Sequence, residues 1–256
     1  MDIIKATLLM YWDCASLAAK GLARNWPILP GCVLLFMLYN FSSAFFSQFG
    51  FAGGMIAGMI QIALLCYFYS WISSTVQKER LTFKDLPEFD GGLFFNIISV
   101  AFIFFIVQFV LQQLTQGLDA KFLLMCVQLG IVIVFNAIPE VIYLHRIEST
   151  YALSEAARFT RDNWIEWFAP LLLVLAPVLL ASPLSVLLML AHSDPMLPPF
   201  IVVTGVLNSN FGQATAFLLP LLALLIAIWY MVFRGHLFQA LSSGTRRQRM
   251  YKSKSR

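Results

Sequence analysis

The chain has 256 residues, 60% of them hydrophobic and 12% charged, and its mean hydropathy is +0.79. A soluble domain carries about twice that charged fraction, so the composition excludes an ordinary water-soluble globule. The net charge of +4 does not mark a nucleic-acid binder, because the basic residues flank apolar runs instead of forming a soluble patch.

The expected fold is all-α. It is a polytopic membrane helical bundle with six transmembrane helices plus interfacial amphipathic helices, all in one integral membrane domain over 1–256. The first expected element is an interfacial helix over 2–25. Asp13, Ser16, Lys20 and Arg24 recur at helical spacing and draw a narrow polar stripe on an otherwise apolar helix. A helix packed on the bundle is the alternative. Asp2 and Asp13 interrupt this region, so it does not read as a cleavable signal peptide.

Six apolar runs follow, at about 28–46, 51–72, 96–114, 122–144, 167–190 and 214–233, each near the roughly 20 residues that a span needs. Ser47–Gly50 between the first two is short enough to force an antiparallel hairpin. The loop 75–93 is expected to carry a short helix with Thr82 as its N-cap and Asp85 in its first turn. Residues 191–213 either re-enter the membrane or lie on its surface, and 234–256 form a basic cytoplasmic tail suited to anionic lipid headgroups. With six spans and both termini inside, every one of the 17 Lys and Arg except Lys121 falls on the cytoplasmic side.

Glu148–Trp167, ESTYALSEAARFTRDNWIEW, is a polar interruption that reads as a second amphipathic helix. Ala152, Ala156, Phe159 and Trp164 fall near one face, with Ser154, Glu155, Arg158, Arg161 and Asp162 opposite. Ser154–Trp164 aligns without gaps on Ser16–Trp26. Ser, two Ala, Asn163 with Asn25 and Trp164 with Trp26 are identical, and Arg158 matches Lys20. Each copy runs into an apolar span, which suggests a parallel internal repeat. Chance similarity of Ser- and Ala-rich segments is the competing explanation.

Few residues invite chemistry. Glu140 is the one acid well inside an expected span, with Asn136 one turn deeper. It is either a functional intramembrane carboxylate or a group close enough to the interface to reach water or to pair with Arg146 or an arginine of the 148–167 helix. Asn40, Gln61, Gln108 and Gln128 are expected to hydrogen-bond between helices, and Gly54 and Gly58 form a small-residue face for close helix approach or dimerisation. Pro177 and Pro183 are expected to kink the fifth helix. Cys14, Cys32, Cys66 and Cys126 lack metal or disulfide spacing. No nucleophile, phosphate-loop or metal motif appears, so no catalytic, cofactor or metal residue is expected.

ESTYALSEAARFTRDNW followed by WFAPLLLVLAPVLL resembles the YciC-like bacterial inner-membrane proteins and the membrane domain attached to some glycerophosphodiester phosphodiesterases. The resemblance implies six helices, an N-terminal amphipathic helix ending in an Asn-aromatic step, and a bacterial inner-membrane location. It carries over no catalytic residue. The function expected is non-enzymatic: support of envelope or lipid organisation, or scaffolding of a membrane complex. A transporter or lipid translocase is the alternative, and a membrane-embedded enzyme comes last. Expected partners are membrane lipids and a homo- or hetero-oligomer, with no nucleic acid and no cofactor.

Overall fold

The computed structural model describes residues 3–77, 79–115, 121–147, 149–181, 196 and 218–243. No β-strand occurs among the described residues. Helix α1 spans Ile3–Arg24, α2 Ile28–Phe46, α3 Gly50–Val76, α4 Gly91–Thr115 and α5 Lys121–Val134. A three-residue helical segment, α6, covers Ile138–Glu140 and leads into a π-helical turn, Val141–His145. Helix α7 spans Ser149–Ala181 and α8 spans Leu218–Ser242.

Among the described residues, four stretches are long and apolar enough to cross a membrane: Ile28–Val76, Gly91–Leu114, Phe122–His145 and Leu224–Ser242. The first is 49 residues long and folds back on itself through the 3-10 turn Ser47–Phe49. Glycine is needed twice there. Gly50 has φ +60°, where an L side chain is strained, and a Cβ on Gly53 would lie 2.0 Å from the Phe46 carbonyl oxygen. The expected hairpin is therefore present. The expected fifth span lies partly outside the described residues, as do most of 191–213 and the end of the tail. Phe51, Phe102, Phe105 and Phe122 are exposed along these helices, more apolar surface than water tolerates. The fold is compatible with a membrane protein on this ground.

The bundle is built around α8. Of its most apolar stretch 67% is buried, against 17%, 22% and 28% for the other three. Tyr230–Phe238 is buried on every side of the helix. This corrects the expected boundary: the helix does not give way to a tail at 234 but continues to Ser242, carrying Arg234, His236, Phe238 and Leu241 into the core. Close packing permits this because residue 235 has no side chain. A Cβ on Gly235 would lie 2.6 Å from Val76 Cγ2 and 2.9 Å from Tyr143 Oη. Gly235→Ala is expected to cost about 1–3 kcal/mol by overpacking. Gly54→Ala should be near neutral, since a Cβ there meets nothing within 4 Å. Thermal unfolding of the two variants in the same detergent checks the contrast.

Helix α1 packs along α8, with Cys14, Ala18 and Gly21 buried at helical spacing and Gly21 beside Val232. At about 3.6 residues per turn, Ile4, Leu8 and Trp12 form a third face, exposed and apolar, between this seam and the polar stripe. The helix thus packs on the bundle and keeps an apolar side outward. Tyr11 Oη donates to the Glu166 carbonyl at 2.8 Å, tying α1 to α7. Burial pushes its hydroxyl up to about 12, so it stays a protonated donor at neutral pH. Burial likewise pushes the Cys14 thiol up to about 11.

Helix α7 merges the expected amphipathic helix and the described part of the fifth span into one run. Its departure from helical backbone is at Asn163 (φ −127°, ψ 19°), not at Pro177; Pro183 lies outside the described residues. Ala152, Ala156 and Phe159 are buried as expected, and the same face continues through Asn163 to Trp167, while Trp164, about 120° round the helix from Ala152, is 61% exposed. In the 75–93 loop the expected short helix is a pair of turns. The Thr82 amide and hydroxyl both donate to Asp85 Oδ2, at 2.7 and 2.8 Å, and hold that carboxyl below its ordinary range.

Candidate functional site

The buried polar centre forms where the fourth apolar run breaks. Pro139 has no amide hydrogen to give the Phe135 carbonyl, so the α-helical ladder stops after Val134 and resumes at Ile138. The Ile138 amide bonds to Phe135 O at 3.1 Å instead. The Asn136 carbonyl is freed by the break, and Arg234 Nη2 donates to it at 2.7 Å. The same Nη2 donates to Glu140 Oε2 at 2.9 Å. Arg234 Nε lies 2.9 Å from Glu140 Oε1, as an ionic contact whose angle falls short of an aligned hydrogen bond.

Aromatic residues close this pair in. Trp167 Nε1 donates to Asn136 Oδ1 at 3.1 Å, and the Arg234 guanidinium sits 4.7 Å from the Trp167 ring centroid. Phe159 and Phe238 each meet Trp167 edge to face and pack tilted against one another, and His145 meets Phe238 edge to face at 5.0 Å. Glu140 is 0% exposed and Arg234 2%. Ser73 Oγ donates to the Tyr143 carbonyl at 2.9 Å, satisfying another group where the helix turns to π geometry. Tyr69 Oη donates to the Met196 carbonyl nearby.

This placement corrects the expected environment of Glu140. It does not reach water, and its partner is neither Arg146 nor an arginine of the 148–167 helix. Arg146 instead pairs with Asp90 at 3.0 Å, with 65% of its side chain exposed. Asp90 Oδ1 accepts from the Leu93 amide at 3.0 Å, so Asp90 caps α4.

The other expected residues fall in two groups. Asn25 is fully buried at the α1–α2 corner, where its Nδ2 donates to Glu79 O (3.0 Å) and Thr75 Oγ1 (3.3 Å), and its Oδ1 accepts from the Leu81 amide (3.1 Å). Asn163 Nδ2 donates to the Phe159 carbonyl at 3.1 Å beside its own bend. Both asparagines therefore stand at a break between two helical segments and bond to carbonyls there. Trp26 is 56% exposed. Ser16 and Ser154 each bond back to a carbonyl three residues earlier, Asp13 and Tyr151, at 3.1 Å. Arg158 pairs with Glu155 at 3.6 Å on the surface. A Cβ at Gly54 or Gly58 would meet nothing within 4 Å, and the buried small residues of α3 are Gly53 and Ala57 instead. Asn40 bonds within its own helix, to the Phe36 carbonyl at 2.8 Å, instead of between helices.

Arg234 and Trp167 are the site residues that the sequence did not announce. Arg234 ends an apolar run and looked like a boundary charge. A signal existed, since Phe233, Leu237, Phe238 and Leu241 carry the helical period past it. No group of three or more His, Cys, Asp or Glu side chains that could hold a metal ion occurs among the described residues. No protein-family model, curated protein or solved structure matches the chain.

Proposed function

We propose that the chain is a non-enzymatic integral membrane protein that organises lipid or scaffolds a membrane complex. In this reading it spans the bacterial inner membrane six times, with both termini in the cytoplasm and its two Asn-Trp corners as halves of a parallel repeat. The observation that carries the scaffold reading is the closure of the Glu140–Arg234 pair. The carboxylate has its counter-charge at 2.9 Å and no exposed surface. A group that bound or relayed an ion would need a path to water. Here the charges join α8 to a broken helix.

One observation favours a second reading, a transporter. Discontinuous helices beside a charged group are how several transporters build binding sites, and the Asn136 break is of that kind. The test separates the two by removing both charges together. Glu140→Leu with Arg234→Met eliminates any ion chemistry yet leaves no unpaired charge. In a deletion strain with an envelope defect, the correctly inserted double variant should complement if the protein is a scaffold. A double variant that inserts at normal levels yet fails to complement supports the transporter.

A further inference from the structure

Asn25 brings together two segments more than fifty residues apart. Its hydrogen bonds to Glu79 O and Leu81 N, with Arg24 Nη2 donating to Glu79 O at 3.3 Å, fix the 79–85 loop against the α1–α2 corner. Trp26 and Phe83 consequently meet edge to face, 5.2 Å apart, while each keeps more than half its surface exposed (56% and 55%). Arg24, Arg80 and Lys84 are exposed on the same two segments. Neither Arg80 nor Lys84 has an ion-pair partner among the described residues. Two acids share these segments. Asp85 is engaged by the Thr82 amide and hydroxyl, and Glu79 is exposed.

From this juxtaposition we infer that the Trp26–Phe83 corner, with Arg24, Arg80 and Lys84, binds the headgroup of an anionic phospholipid. The inference rests on the membrane reading above. Its depth argument is specific: Trp26 stands two residues before Ile28, where the first membrane-length apolar stretch begins. That is the level of the headgroups, where amphipathic rings reside and where basic side chains meet lipid phosphates. A soluble anionic partner would need the cations but would have no use for an exposed aromatic pair at that level.

The test uses the full chain in a mild detergent. Native mass spectrometry follows retention of phosphatidylglycerol in competition with phosphatidylcholine. Each basic residue near an anionic headgroup is worth about fivefold in binding, so the triple variant Arg24→Gln/Arg80→Gln/Lys84→Gln should lose about a hundredfold of the preference for phosphatidylglycerol. The control Lys5→Gln/Arg158→Gln/Arg161→Gln removes the same charge elsewhere and should keep it. Arg80→Lys alone should retain most of the binding. Equal losses in triple and control, or equal retention of both lipids by the unmodified protein, would overturn the proposal. So would displacement of phosphatidylglycerol by soluble glycerol phosphate, which would make this a site for a free anion. None of these readouts depends on complementation by the Glu140/Arg234 double variant, so this inference and the scaffold reading can fail separately.

Discussion

Arg234→Met is expected to lower stability by about 3–5 kcal/mol, because it leaves the Glu140 carboxylate buried without a counter-charge. Glu140→Gln should cost a similar amount, despite keeping the side-chain shape. The carboxylate presents one oxygen to Nη2 and the other to Nε. A carboxamide offers one oxygen only and turns an NH2 group toward the second donor, while the guanidinium keeps its charge. A pair with Arg146 near the interface, as the sequence alone suggested, would have been worth only about 0–1 kcal/mol. The double variant Glu140→Leu/Arg234→Met should regain most of the loss. What remains should be about 1–3 kcal/mol for the Asn136 carbonyl deprived of its donor. Denaturant unfolding of the unmodified protein, Glu140→Leu, Arg234→Met and the double variant in mixed micelles gives the cycle. Additive losses in the double variant would show that the two charges do not act as a pair.

Asn25→Ala is the second large effect. The side chain is fully buried and makes three hydrogen bonds, two of them to the backbone of the 79–81 segment. Removing it leaves the buried Leu81 amide without its acceptor and Thr75 Oγ1 without a donor, while the Glu79 carbonyl keeps Arg24 Nη2. A loss of about 2–4 kcal/mol is expected, about 1–3 kcal/mol of it from the unsatisfied amide and the rest from the other hydrogen bonds lost. Asn163→Ala should cost less, because the hydrogen bond to the Phe159 carbonyl is local, four residues back in the same helix, and does not tie down a distant loop. Hydrogen exchange should localise the Asn25 effect, with faster exchange across 79–85 and no change in α4. Unaltered exchange in that loop would mean that the corner is held by something other than Asn25.

The parts of the fold that local pattern encodes were legible. Runs of apolar residues marked α2–α5, the Ser47–Gly50 turn marked the hairpin, and helical spacing marked α1. Glu140 was legible as well, because a carboxylate within an apolar run is costly wherever it finds its partner. Its actual partner was not. Arg234 lies 94 residues away, and a charge that ends an apolar run looks the same whether it meets water or a buried acid. The same limit applies to Asn25. The Asn-Trp step drew attention to the residue, but nothing local to it points to Leu81. At Trp164 the failure was of another kind. At 100° per residue Trp164 falls about 120° from Ala152, whereas Asn163 and Trp167 stay within about 60° of it, so the wheel itself puts Trp167 inward and Trp164 outward, and placing Trp164 on the apolar face misread it.

The central position of α8 also sets an order of events during synthesis. The ribosome makes α1 through α7 before the helix that joins them exists. At about 5–20 residues per second, α1 waits on the order of 10–40 s for the surface it packs against. Over part of that interval Glu140 is without Arg234. The pair can form only once α8 is made, so completing the bundle and closing its centre are one late step. A nascent chain arrested before α8 would hold the other helices with neither their hub nor their ion pair, and would be the form that membrane quality control meets first.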